Sequence, residues 1–165
     1  MNDLDHIHRH EAVTRVRDLL RSAGEEVEIL VMTQPTHTSA AAAAALGVGV
    51  GEIAKSVIFK GEDGHAVLVI ASGANRVDTA GVSALLGVAL GKADADFVRE
   101  KTGYVIGGVA PVGHLPQTRI LMDEDLMQYA AVYPAAGHPN TMFRIAPAVL
   151  LRVAGATPAR IAQTT

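Results

Sequence analysis

The chain has 165 residues with 17 acidic against 14 basic side chains, a net charge of −3, and no cysteine or tryptophan. That length suits one folded domain, and an apolar share of 49% argues against disorder. Disulfides, thiolate metal sites and a cysteine nucleophile are excluded, and the net-acidic balance limits any nucleic-acid contact to a few phosphates.

The N-terminus, Met1-Asn2-Asp3-Leu4-Asp5, is acidic and lacks a secretory pattern. No run approaches the ~18 uninterrupted apolar residues of a membrane helix, so the expectation is a cytoplasmic protein with no membrane partner. Val13, Val16, Leu19, Leu20 and Ala23 recur at three- and four-residue spacing and predict an amphipathic helix from about His6 to Ala23, stopped by Gly24. His6, His8 and His10 fall in its first turns. Only His6 and His10 share a face, with no further ligand at metal spacing, so they are read as a solvated turn and no metal is assigned. Val27 to Met32 predicts a strand, and Pro35 breaks the chain after it. Thr38 or Ser39 caps a helix over Ala40 to Leu46, ended by Gly47.

Gly47-Val48-Gly49-Val50-Gly51 lacks the spacing of a dinucleotide loop, and the Gly87-to-Ala93 segment is one residue short of a phosphate loop. Both are read as helix ends and turns, and no cofactor is assigned. Strands from Ile53 to Lys60 and from His65 to Ala71 flank Gly61-Glu62-Asp63-Gly64, a hairpin signal. Ser72 to Asn75 turns the chain, Asp78 caps a helix to Leu86, and a further helix runs from Ala93 to Lys101, stopped by Gly103. The segment Tyr104 to His114 is too rich in glycine for an ordinary strand. A strand from Arg119 to Met122 and a short helix from Asp125 to Tyr129 follow. A last hairpin pairs Ala130–Tyr133 with Thr141–Ile145 around Ala136-Gly137-His138-Pro139-Asn140. Pro147 opens a helix through Val153, and the tail after Gly155 is read as loose. With neither linker nor repeat, residues 1–165 are read as one domain.

Lys55 is the residue whose placement asks for a reason. A period of two sets it on one face with Ile53, Val57 and Phe59, where an ammonium loses hydration unless an anion compensates. The alternative is a lysine that snorkels out at a sheet edge. Gly107, Gly108 and Pro111 form a loop whose glycines permit positive φ and let amide N–H groups converge on an oxygen. The same residues also fit a tight turn. Gly137-His138-Pro139-Asn140 reads as a hairpin turn whose imidazole is a ligand, a proton carrier or simply exposed. No serine-hydrolase or β-lactamase motif is present, so in a hydrolase the attack comes from water or from the substrate.

Taken in order, several segments resemble the YbaK/EbsC family, also called the prolyl-tRNA synthetase-associated or editing domain. They are Ala41-to-Gly47 leading into Ile53-Ala54-Lys55-Ser56, Asn75-Arg76-Val77-Asp78, Thr102-Gly103-Tyr104 through Gly107-Gly108-Val109-Ala110-Pro111-Val112-Gly113-His114, Met122-Asp123-Glu124, and Ala136-Gly137-His138-Pro139-Asn140. The likeness covers roughly Thr38 to Val153. It implies a mixed α/β (α+β) fold with a bifurcated, barrel-like mixed sheet flanked by helices. It further implies an aminoacyl-tRNA deacylase that clears mischarged tRNA in trans, touching only the acceptor end, with an aminoacyl-tRNA synthetase as a candidate partner.

Residue by residue, the family's lysine falls on Lys55, the first glycine of its GxxxP loop on Gly107 and the histidine of its AGHP-type turn on His138. On this likeness Lys55 anchors the terminal phosphate or adenosine, and amides of Gly107 and Gly108 hold the oxyanion. Pro111, Gly113, Gly137 and His138 are the expected substrate-binding residues. His37, which leads into the helix before Lys55, is placed beside the same pocket without a role. Ala110-Pro111-Val112-Gly113 stands where the family often has Ser-Pro-Phe-Gly, a change of pocket size. A module that binds aminoacyl-adenosine or another anionic small molecule without turnover fits Lys55 equally well.

Overall fold

In the computed structural model the described residues are 3–33 and 38–164, so the readings made above on Pro35 and His37 lie outside them. In chain order the helices are α1 (Asp3–His8), α2 (Glu11–Ser22), α3 (Ser39–Leu46), α4 (Thr79–Leu86), α5 (Ala95–Thr102) and α6 (Pro147–Ala154). The strands are β1 (Ile29–Val31), β2 (Ile53–Gly61), β3 (Ala66–Ser72), β4 (Leu90–Lys92), β5 (Arg119–Asp123), β6 (Tyr133–Pro134), β7 (Thr141–Phe143) and β8 (Thr157–Ala159). The result is a mixed α/β fold: a mixed sheet in the order β4-β2-β3-β5-β8, with β6 also on β2, and a separate antiparallel pair β1-β7.

Local chemistry sets most of these boundaries. Thr38 Oγ1 accepts from the Ala41 N–H at 3.0 Å and starts α3, while Asp78 and Asp94 do the same for α4 and α5. The β2–β3 hairpin closes where the Gly61 N–H donates to His65 O and the Gly64 N–H to Gly61 O, both at 2.9 Å. The predicted single N-terminal helix is instead two. His10 leaves the helical region and its Nδ1 accepts from the Ala12 N–H at 3.2 Å, so the imidazole caps α2.

β3 is buried along its whole length because both faces of the sheet are covered. On one face Ala54, Leu68, Ile70 and Met122 meet Val13, Val16 and Leu20 of α2, Val98 of α5 and Leu150 of α6. On the other, Val67, Val69, Ala71 and Leu121 pack with Val82 of α4 and Ile161. Each large aliphatic side chain buried this way contributes roughly 1.5–3 kcal/mol. Ile161 belongs to the tail expected to be loose. It is ordered because β8 pairs parallel with β5 and the Ile161 carbonyl accepts from the Asp78 N–H at 2.7 Å. β4 also escaped the sequence reading; three residues, two of them Gly91 and Lys92, carry no strand period.

Two polar networks fix the scaffold. The buried Asp123 carboxylate accepts from the Ser72 N–H, Asn75 Nδ2 and the Asp125 N–H, each at 2.9 Å, tying the ends of β3 and β5 together. On the other side Arg15 of α2 lies 4.3 Å from the Tyr104 ring centroid and donates to Thr102 O at 3.0 Å. The Tyr104 hydroxyl donates to Val112 O at 2.7 Å, and Gly113 packs against Leu19 and Tyr104 with no room for a Cβ.

His114 completes this cluster: Nε2 lies 2.7 Å from Ala110 O, and the buried Nδ1 has no hydrogen-bond partner among the described residues. With a carbonyl as neighbour, Nε2 carries the proton and the ring is neutral. Burial holds its pKa below the ordinary imidazole value. A depressed histidine stabilises the fold above the unfolded pKa, and that stability is lost as pH falls towards the folded value. The melting temperature should therefore drop between about pH 7.5 and about pH 5.5. In His114→Gln, which cannot titrate, the drop should be smaller by thermal denaturation at the two pH values.

Candidate active site

The site begins with how the edge of β2 is shared. β6 runs parallel to it at Ile53 and Ala54, and β4 runs antiparallel to it from Phe59 to Gly61. Between them Lys55, Ser56, Val57 and Ile58 have no strand on that side. β6 leaves because Ala135, after Pro134, pairs with Met142 of β7 instead. The split opens a cleft of about 320 Å³. Its walls include Thr38 and Ser39 at the start of α3, β2 from Ile53 to Ile58, Val98, the turn Ile106-Gly107 with Val109, and Pro139, Thr141 and Met142.

Lys55 lines this cleft, but its side chain is exposed, which corrects the expectation of an ammonium sunk in an apolar wall. Its face of β2 is covered only at the two ends. Ile53 packs with Ala42 and Ala43 of α3, and Phe59 joins the α4 cluster. Lys55 falls between these covers, at the mouth. It has no hydrogen bond or ion pair with any described residue, and it is the sole ionisable side chain among the described residues that line the cleft.

Two glycine turns close the far wall back to back. In the first, Gly107 takes φ 90° and the Gly108 N–H donates to Val105 O at 2.9 Å. That bond consumes the Gly108 amide, so Gly108 cannot give the free donor expected of it. Its contribution is the absence of a side chain, since a Cβ there would lie 2.9–3.0 Å from the backbone of His138. The N–H groups of Gly107 and Val109, both residues of the cleft wall, make no hydrogen bond with any described residue. In the second turn Thr141 is buried. Its Oγ1 accepts from the N–H groups of Ala136 and His138, both at 3.2 Å, and donates to His138 O at 2.7 Å.

The structure brings Lys55 and Gly107 together but separates the remaining expected residues from them. His138 points away into a second cavity, which it shares with His10, Tyr104 and Gly137. Its Nδ1 accepts from the Asn140 N–H at 3.0 Å, and its ring meets His10 edge-on at 5.3 Å. Burial, then the neighbouring His10 and His6, lower its pKa. Gly137 abuts the backbone of Ala12, and Gly113 abuts α2. Pro111 is buried and, like Gly113, off the cleft wall. These four shape the loops behind the cleft rather than its surface. Ser56, Ser39 and Thr141, which do line it, were legible only as strand, cap and hairpin residues.

With this geometry in place, the family match is specific. A family model described as the aminoacyl-tRNA editing domain matches residues 33–153, and the chain belongs to that family. It is similar in structure to a protein reported as a proposed trans-editing enzyme for prolyl tRNA synthetase, at 38% identity and a TM-score of 0.87. That match covers 94% of this chain and 99% of the other. The hypothetical protein APE2540 is 32% identical with a TM-score of 0.83, covering 90% and 99%. The uncharacterized protein YwhH of Bacillus subtilis is 32% identical over 95 residues, which are 58% of this chain and 60% of that protein's length.

The contact between the two turns is directly testable. Gly108→Ala should destabilise the fold by about 1–3 kcal/mol, because the new methyl meets rigid backbone. Chemical denaturation measures this; an unchanged midpoint would show that the turns can part at no cost.

Proposed function

We propose that this protein is an aminoacyl-tRNA deacylase that acts in trans on the ester of mischarged tRNA. The observation that carries the reading is Lys55: a cation with no counter-charge among the described residues, set at the mouth of a cleft otherwise made of apolar side chains, hydroxyls and backbone. Such a charge suits a phosphate of the acceptor end, where a charge-assisted contact is about twice as strong as a neutral one. Family membership and the similarity to a proposed trans-editing enzyme support the same substrate class. A net charge of −3 fits a protein that grips only the 3′ end.

The chemistry asked of the protein is modest. Water, oriented by the 2′-hydroxyl of the terminal ribose, adds to the ester carbonyl and loses a proton to the surrounding water. The tetrahedral oxyanion then collapses, the bond from carbonyl carbon to the 3′ oxygen breaks, and that oxygen takes a proton. The products are a free amino acid and tRNA with its 3′-hydroxyl restored. The unpaired amides of Gly107 and Val109 supply oxyanion stabilisation, worth roughly 3 kcal/mol per well-aimed donor. No carboxylate or imidazole lines the cleft among the described residues, so the proton is handled by water and substrate. That same feature is what favours the alternative, a module that binds aminoacyl-adenosine without turnover, and a deacylation assay separates the two.

Lys55→Ala should lower kcat/KM for deacylation by roughly 10- to 100-fold while leaving circular dichroism and melting temperature unchanged. Unaltered kinetics would remove the carrying observation. His138→Ala should change kcat/KM by no more than about threefold, against the 100-fold or greater loss expected for a general base. Its effect should fall on stability, since the Asn140 N–H loses its acceptor.

A further inference from the structure

The unpaired stretch of β2 exposes a short row of backbone donors and acceptors inside the cleft. Which residues they belong to follows from the bonds at its ends. Ile53 O accepts from the Gly73 N–H and the Gly61 N–H donates to His65 O, so odd-numbered residues face β3. The Glu62 N–H donates to Ala89 O, so even-numbered residues face the other edge. Alternation along an antiparallel ladder then turns the N–H and C=O of Ser56 and the N–H of Ile58 into the gap, the Ile58 carbonyl being taken up where β4 begins to pair. Beside them the Ser56 Oγ is buried and has no hydrogen-bond partner among the described residues. A strand edge without pairing, next to an unsatisfied hydroxyl, is a place where a ligand completes the hydrogen bonding.

We propose that the aminoacyl group docks on this edge as a single added residue of the parallel ladder that β6 begins. The proposal rests on the deacylase reading above and names how its substrate is held. In a parallel pair, one residue donates its N–H to the carbonyl at i−1 and accepts at its own carbonyl from the N–H at i+1. Opposite Val57, those groups are the Ser56 carbonyl and the Ile58 N–H. The substrate's α-amino group donates to the Ser56 carbonyl and, with its further N–H bonds, to Ser56 Oγ. The ester carbonyl accepts from the Ile58 N–H.

The gap also limits what can bind. With β6 ending at Ala54 and β4 arriving at Phe59, only four residues of edge are free, too few for an incoming peptide strand. One amino acid unit fits. Because these contacts are to the backbone, they recognise the feature common to all aminoacyl esters and leave side-chain choice to the rest of the wall.

The test compares one tRNA carrying the amino acid that a deacylation panel shows to turn over with the same tRNA carrying the corresponding des-amino acyl group. Each kcat/KM is divided by the rate of enzyme-free hydrolysis of the same ester, which corrects for intrinsic reactivity. The des-amino ester should be poorer by about 10- to 100-fold, as expected for loss of a charge-assisted hydrogen bond. Ser56→Ala should shrink that ratio without lowering the melting temperature, since its hydroxyl makes no bond in the free protein. Equal normalised rates for the two esters would overturn the docking mode and leave the deacylase reading intact. If no tRNA is turned over, the deacylase reading falls instead. The edge is then tested by calorimetric binding of amide-linked aminoacyl-adenosine against its N-acetyl form, and equal affinity, including no binding of either, overturns the proposal.

Discussion

The candidate cleft follows from one strand having two different neighbours along a single edge. β2 is paired with β3 over seven residues, which fixes it rigidly in the sheet. Its other edge is taken by β6 at one end and β4 at the other, in opposite directions, and neither reaches the middle. A sheet usually hides such an edge, because unpaired N–H and C=O groups invite association with other chains. Here the gap is four residues long and is walled in by α3, the Gly107 turn and the β6–β7 hairpin. The bifurcation is therefore what creates the cleft.

The far wall is constructed on the same principle of backbone without side chains. Gly108 lets the 105–108 turn lie directly on the backbone of His138. Thr141, using one hydroxyl as acceptor and donor, freezes the opposing turn from within. Behind them the Arg15–Tyr104–His114 cluster clamps the glycine-rich loop to α2. A loop with so many glycines has high conformational entropy to lose on folding. Its order thus depends on α2, and this gives the N-terminal helices a part in the site although they lie outside it.

How much of this was legible depends on the range of the interaction concerned. Caps and stops are local, and Thr38, Asp78, Gly47 and Gly103 are where their residue types place them. The hairpin around Gly61 and Gly64 is equally local. β8 was missed because its partner, β5, lies more than thirty residues away and the strand itself has no apolar period. The two N-terminal helices read as one because a histidine is a poor cap by propensity, and only the structure shows its ring accepting from Ala12. Lys55 was read as an ammonium sunk in an apolar wall, and the structure leaves it exposed on the cleft. Its neighbours at two-residue spacing are apolar, but helices cover that face only at its ends.

The candidate site illustrates a deeper limit on reading chemistry from sequence. His138 looked like a participant because imidazole is reactive, yet its ring turns to the opposite side of its own turn and caps Asn140. Gly108 looked like an oxyanion donor because glycine amides are accessible, yet its amide closes the turn that presents Gly107. In both cases the residue type was informative and the direction was not. Direction is set by which hydrogen bonds the local turn satisfies first, and a turn of this kind has only a few N–H groups to distribute. The amides left over, on Gly107, Val109, Ser56 and Ile58, are those the turn and the ladder do not need. A cleft made from such leftovers carries one charge and no acid–base pair among the described residues. It accordingly suits the proposed deacylation, in which the ester and water bring the reactivity and the protein supplies position.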